Sequence, residues 1–278
     1  MPNKTWFITG CATGFGRALA ERALARGDNV AVTDRDAAAV ADLGERYPDS
    51  ALALGVDVTR PDQVRAGLDA AFDRFGRIDV LVNNAGFAVQ AAVEESDPAR
   101  VRAMFDVNFF GMLEVIQAAL PRLRAQGSGH IMNFASVGGR VSGPLMALYC
   151  ASKYAVEGMS DGLAAELAGF GIKVTSIEPG AFATRFGASA QMPESPMEEY
   201  EPLRESMRSL IGNLPMGQPE ELADALLELA DETESPLKFP GGIDAWRMID
   251  ATLEAQRAEM QKWRDLSAKA NLTALQAG

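Results

Sequence analysis

The sequence predicts a doubly wound α/β fold: a mostly parallel sheet with helices on both faces. Three observations lead there. Short apolar, β-branched runs alternate with segments of helical period, a glycine-rich turn joins the first run to the first helix, and 278 residues at 47% hydrophobic content suffice for one large core and a single domain, residues 1–278. Strict alternation makes successive strands parallel, joined by right-handed crossovers.

In chain order, strands are expected at residues 5–8, 30–33, 52–58, 80–83, 131–134 and 174–177. Helices are expected between them at 16–26, 37–46, 61–75, 99–124 and 152–168, with Pro61 and Asp97-Pro98 as start signals. After Gly180 the alternation stops. Pro193, Pro196, Pro202 and Pro215 punctuate an apolar segment of about 184–217, read as a mobile lid or binding loop for substrate. A helix at 220–231, an edge strand at 237–239 and a long charged helix at 245–269 follow. That last helix opens a C-terminal extension of about 245–278, a candidate interface.

Charge and composition exclude several functions. A net charge of −12 without a clustered Lys/Arg stripe argues against nucleic acid as a partner. A single histidine, His130, leaves no matching ligand set for a metal and no Ser-His-Asp chemistry. Cys11 and Cys150 do not suggest a disulfide framework, and no run of about 18 apolar residues stands out, so a cytoplasmic protein without a membrane partner is expected.

The first strand runs into Thr9-Gly10-Cys11-Ala12-Thr13-Gly14-Phe15-Gly16 and then a helix. Glycines there permit a tight turn and close approach of a pyrophosphate to the helix N-terminus. Asp34 ends the second strand 18 residues beyond Gly16, near the separation at which a carboxylate takes ribose hydroxyls; Arg35 beside it could instead hold a 2′-phosphate. Tyr149-Cys150-Ala151-Ser152-Lys153 sets a lysine one helical turn after a tyrosine. An ammonium so placed lowers a phenol's pKa and fits it for proton exchange with a hydroxyl. Tyr200 and Arg204 share the bare spacing, so spacing alone proves little.

With these motifs in place, the chain resembles the short-chain dehydrogenase/reductase family over residues 5–184, particularly its hydroxysteroid-dehydrogenase and carbonyl-reductase members. The resemblance rests on the T-G-x-x-x-G-x-G turn and Tyr-x-x-x-Lys. It extends to Asp57-Val58, Asn83-Asn84-Ala85-Gly86, Asn108, Ser136 thirteen residues before Tyr149, Pro179-Gly180 and Thr184. It implies a Rossmann-like fold in which Ser136 bonds the substrate oxygen and Tyr149 exchanges its proton. Lys153 would hold the nicotinamide ribose and tune the phenol, and Asn108 would anchor a proton-relaying water. Gly10, Thr13, Gly14, Phe15 and Gly16 would cradle the cofactor. Asp57, Val58, Asn84, Ala85 and Gly86 would line the adenine end, and Pro179, Gly180 and Thr184 the nicotinamide end. Cys11, where the family often has Ala or Ser, is expected to make cofactor binding sensitive to thiol reagents.

The expected reaction is hydride transfer between NAD(H) and a small hydrophobic secondary alcohol or ketone, by a homodimer or homotetramer. An NADP(H)-dependent carbonyl reductase, a nucleotide-sugar epimerase or dehydratase, and a non-catalytic dinucleotide sensor are the alternatives.

Overall fold

The structure, a computed structural model, describes residues 3–188, 190–212 and 214–271. Its strands are β1 (Thr5–Thr9), β2 (Asn29–Asp34), β3 (Ala51–Gly55), β4 (Val80–Asn83), β5 (Gly129–Phe134), β6 (Ile172–Pro179) and β7 (Lys238–Gly241). They form one 7-stranded sheet in the order β3-β2-β1-β4-β5-β6-β7, and every pairing is parallel. β1 is buried along its whole length because helices cover both faces.

Alternation along the strands divides the core. Trp6 and Ile8 of β1 face a cluster built with α1 (Gly14–Arg26), α2 (Ala41–Arg46) and α9 (Pro219–Asp231). Phe7 points the other way, among residues of α3 (Pro61–Phe75), α5 (Met112–Gln126) and α6 (Ala147–Leu167). The strand order reverses between β1 and β4, so connections leave their carboxyl ends in opposite directions. The crevice this opens is the usual ligand position in such sheets.

The expected helix at 99–124 is interrupted. It comprises α4 (Pro98–Phe105), a π-helical stretch (Asp106–Gly111) and α5. Gly111 lies so close to Val58 that a Cβ there would sit 2.7 Å from a Val58 methyl, a packing relation invisible in helical periodicity. By length and hydropathy the run Pro98–Gln126 could cross a bilayer. Here Met112, Val115, Ile116, Ala119 and Leu123 are instead buried in the core beneath the sheet.

Strand β3 stops at Gly55 rather than 58, because the Asp57 N–H turns away to the Gln63 side chain (2.9 Å). Helix α6 begins five residues before the expected 152, which brings Tyr149 into its first turn. The segment 184–217 is not a structureless loop. It holds α7 (Arg185–Ala188), a 3-10 turn (Glu198–Tyr200) and α8 (Glu201–Gly212), while its residues 189 and 213 lie outside the described residues. Arg204 does not serve Tyr200; its guanidinium bonds the fully buried Glu95 carboxylate at 2.8 Å and staples α8 to the domain. The C-terminal extension is α10 (Ile243–Lys262) and α11 (Arg264–Ala268), with 272–278 outside the described residues.

Candidate active site

A groove of about 1340 Å³ crosses the carboxyl ends of the central strands. One wall is the glycine-rich turn, where Gly10 and Gly14 adopt positive φ (74° and 63°). At Gly16 a Cβ would lie 2.4 Å from the Gly10 carbonyl and 2.5 Å from Asn84 Nδ2, so any side chain would push the turn apart. Thr13 caps α1 without a side-chain hydrogen bond, and no acidic residue occupies the first turn. The positive end of a 13-residue helix therefore meets the groove through its backbone N–H groups, which suits a phosphate.

Asp34, at the end of β2, accepts the Ala12 N–H at 3.0 Å, which pins its carboxylate against the same turn. Arg35 is exposed and has no ion-pair or hydrogen-bonding partner among the described residues, although it lines the groove. Asp57 is occupied through one oxygen by Thr59 (N–H at 2.9 Å, hydroxyl at 2.7 Å) beside Val58. Asn84 donates to the Thr9 and Gly10 carbonyls (2.8 and 3.0 Å), while the Thr9 hydroxyl accepts the N–H groups of Asn84 and Ala85. Thr9 thus locks β4 to the turn, a role that no spacing in the sequence announces.

Ser136, Tyr149 and Lys153 meet in the floor. Ser136, just beyond β5, accepts the Gly138 N–H at 3.0 Å and hydrogen-bonds the Tyr149 side chain. Burial holds the Tyr149 phenol well above its ordinary range, with the Ser136 bond working in the opposite sense. Burial likewise pushes the Lys153 ammonium down to about 8, opposed by the negative charge of Glu157 one turn on. Lys153 donates to the Phe134 carbonyl at 2.7 Å, and its Nζ lies 5.9 Å from the centre of the Tyr149 ring. The expected lowering of the phenol pKa by Lys153 is not seen in this structure, where burial raises it.

Asn108 sits in the π-helical stretch and is fully buried. Its side chain brackets Phe87, accepting that N–H and donating to that carbonyl (both 3.0 Å), and also donates to Ser152 at 3.1 Å. Ser152 in turn donates to the Tyr149 carbonyl at 2.7 Å. Asn108 thus ties the start of α6 to the β4 loop, and Gly86 permits this because a Cβ there would stand 3.0 Å from Asn108 Oδ1. Leu145, buried four residues before Tyr149, is the non-glycine residue held at positive φ (61°) among the described residues. Such strain is common next to functional side chains.

The remaining expected residues also line the groove. Pro179 ends β6 and Gly180 follows it, next to Ala181, whose N–H Asp244 accepts at 2.7 Å. Thr184 packs against Gly14 across the groove mouth. Phe15 stacks edge-on against Phe182 (5.1 Å), and Phe186 of α7 lies 5.6 Å from the Tyr149 ring, so the wall beyond the phenol is apolar. Two other residues take no part. His130 is buried against the Thr175 hydroxyl (2.9 Å), and burial lowers its pKa to about 3. Cys11 is completely buried, and burial pushes its thiol far above the reactive range, contrary to the expected sensitivity to thiol reagents.

Comparison with known proteins agrees with this geometry. The sequence profile of the short chain dehydrogenase family matches residues 4–194. Oxidoreductase BOA17 of Botryotinia fuckeliana is 38% identical over 269 residues, covering 95% of this chain and 98% of that protein. A short-chain dehydrogenase from Streptomyces avermitilis superposes with a TM-score of 0.90 at 39% identity, covering 97% and 98% of the two chains. A Burkholderia phymatum member in complex with NAD gives 0.80 at 26% identity (93% and 95% covered). A Burkholderia cenocepacia member in complex with NADP gives 0.74 at 27% (94% and 97%). The chain belongs to the short-chain dehydrogenase family.

Proposed function

We propose that this oxidoreductase interconverts a hydrophobic secondary alcohol and its ketone with NAD(H), Tyr149 acting as the general acid and base. The observation that carries the reading is the continuity of the groove: a phosphate-ready helix end leads to the buried Ser136–Tyr149–Lys153 group without an intervening wall.

The residues fit a dinucleotide. The Gly16 cradle excludes any side chain, the α1 N-terminus offers uncapped donors, and Asp34 stands where ribose hydroxyls would be bonded. The nicotinamide, when bound, supplies or receives the hydride. The chain handles the proton. In reduction, the Tyr149 hydroxyl gives its proton to the developing alkoxide while the Ser136 hydroxyl holds the same oxygen; in oxidation the Tyr149 phenolate takes the alcohol proton and Ser136 still holds the oxygen. Lys153 stands over the ring and compensates negative charge as the phenolate forms. Phe182, Phe186, Leu214 and Met216 make the substrate end apolar, which favours an aliphatic or aryl-alkyl ketone over a charged one.

Solved relatives carry either NAD or NADP; in this chain Asp34 favours NAD. Absorbance at 340 nm during incubation with NADH or NADPH and a panel of ketones tests the reading. Net cofactor oxidation that disappears in Tyr149→Phe supports it. Tight cofactor binding without turnover of any ketone or alcohol would favour a dinucleotide sensor instead.

A further inference from the structure

The Ser136 hydroxyl stands beside Tyr149 only while the turn that carries it stays seated on α6, and that turn has little of its own to hold it. It is a single 3-10 turn, Val137–Gly139, capped by Ser136. A Cβ on Gly138 would lie 3.3 Å from the Tyr149 ring, and one on Gly139 would lie 2.9 Å from Glu157 Cγ and 3.1 Å from the Lys153 carbonyl oxygen. The two glycines let the turn lie flush on the helix that bears Tyr149 and Lys153, yet they contribute no side-chain contact that keeps it there.

Attachment comes at the next residue, Arg140. Its carbonyl accepts the Tyr154 hydroxyl at 2.5 Å, and its guanidinium donates to Glu178 Oε1 at 2.9 Å. Glu178 is fully buried on β6, two residues before the groove-lining Gly180. Ser176, on the same face of β6, donates to one oxygen of Glu157 at 2.7 Å. Lys238 of β7 donates to the other at 2.7 Å and also pairs with Asp161 at 2.8 Å. Glu157 thus has its cation in Lys238, and Arg140 is left to Glu178.

As a source of stability this pair is poorly built. The second oxygen of Glu178 is buried without a hydrogen-bond partner among the described residues, although both oxygens of a carboxylate accept. A buried ion pair with one oxygen bare recovers little of its desolvation, and apolar side chains of like volume commonly serve a fold as well. Apolar side chains cannot supply direction. A guanidinium on a fixed carboxylate sets where residue 140 sits, and with it the turn that precedes it.

We propose that Glu178 is a positioning residue: acting through Arg140, it clamps the 137–139 turn onto α6 and keeps the Ser136 hydroxyl at its hydrogen bond to Tyr149. The effect on turnover rests on the alcohol and ketone reading above; the clamp does not.

Two variants of the full-length protein test it. Glu178→Gln removes the charge with almost no change of shape, and Arg140→Met removes the other end; a loss of folding in one, seen as a fall in Tm, leaves the other to decide. Mass-resolved hydrogen exchange reads the clamp without any substrate. The Gly138 and Gly139 amides, bonded to Ser136 at 3.0 and 2.8 Å, are expected to exchange at least about tenfold faster in each variant, while the amides of β6 and α6 keep their native rates. In ketone reduction each variant lowers kcat about tenfold, while the cofactor dissociation constant stays within about twofold. In a Ser136→Ala background the same substitutions lower kcat no further, because their effect passes through that hydroxyl. Native exchange over 136–140 in both variants overturns the clamp, whatever the enzyme turns over. A fall in kcat that persists undiminished without the Ser136 hydroxyl, or that comes with an equal loss of cofactor affinity, makes Glu178 a structural residue and also overturns the proposal. A native protein inert towards every ketone and alcohol overturns the reaction reading instead, and the exchange rates then judge the clamp by themselves.

Discussion

Replacing Asp34 by asparagine isolates charge from shape at the point proposed to choose the cofactor. The amide oxygen of Asn can still accept the Ala12 N–H that Asp34 takes at 3.0 Å, so the glycine-rich turn keeps its anchor. What is lost is one negative charge, held by that bond and unable to swing away from an incoming 2′-phosphate. Two unit charges about 4 Å apart interact by roughly 4 kcal/mol at an effective dielectric of about 20. Asp34 is only half-buried, so solvent screening leaves about 1.4–2 kcal/mol, which corresponds to about 10- to 30-fold in preference. The native protein is therefore expected to favour NAD⁺ by at least about tenfold in kcat/KM, and Asp34→Asn to bring the ratio near unity, with the unpaired Arg35 then available to the phosphate. Initial rates with both cofactors and one secondary alcohol measure the ratio. A native preference for NADP⁺, or a ratio unmoved by the substitution, refutes the reasoning and makes Arg35 the reader of the cofactor.

Tyr149→Phe is expected to lower kcat by at least about 10²-fold while the cofactor dissociation constant stays within a few-fold, since only proton transfer is removed; stopped-flow and fluorescence titration separate the two. Lys153→Ala should damage both quantities, and an unchanged cofactor affinity would confine its role to the phenol. Gly16→Ala forces a methyl to within 2.4 Å of the Gly10 carbonyl. Overpacking of about 1–3 kcal/mol lowers Tm by roughly 2–12 °C, and a full native Tm would contradict the cradle. Glu178 is buried beside Arg140 (2.9 Å), and burial, then the charge of Glu157, raises its pKa from 4.5 to about 7. A carboxyl with a raised folded pKa contributes stability below its unfolded value that is lost as pH climbs through the folded one. Native Tm should therefore fall by a few degrees relative to Glu178→Gln between pH 5 and 8; a constant gap would show that Glu178 titrates normally.

The residues proposed to touch cofactor or substrate were legible in the sequence because their chemistry is local. The glycine turn needs its own backbone freedom, Tyr149 and Lys153 need one helical turn, and the strands carry their own apolar pattern. What holds those residues was not legible. Thr9 acts on Asn84 across 75 residues, Phe134 receives Lys153, and Asp244 reaches back 63 residues to Ala181. Each contact exists only once the sheet brings the elements together, and a lone Thr or Asp has no signature of it. The segment 184–217 was only partly legible for a related reason: its prolines suggested a loop, while the Glu95–Arg204 pair that anchors α8 joins residues 109 positions apart.

The π-helical stretch at 106–111 also acts as a phase shifter. A single extra residue in a helical turn advances everything downstream by about 100°. Upstream, Met104 looks into the small cluster around Tyr149; downstream, Met112 and Val115 look into the core under the sheet. One continuous rod thereby serves two compartments on different sides. Deleting one residue within the stretch would mend the hydrogen-bond ladder and make a more regular helix, yet rotate the two halves out of step. A gain in local regularity would thus cost the protein either its core or the packing around Tyr149, and insertions or deletions here should be tolerated less well than most substitutions.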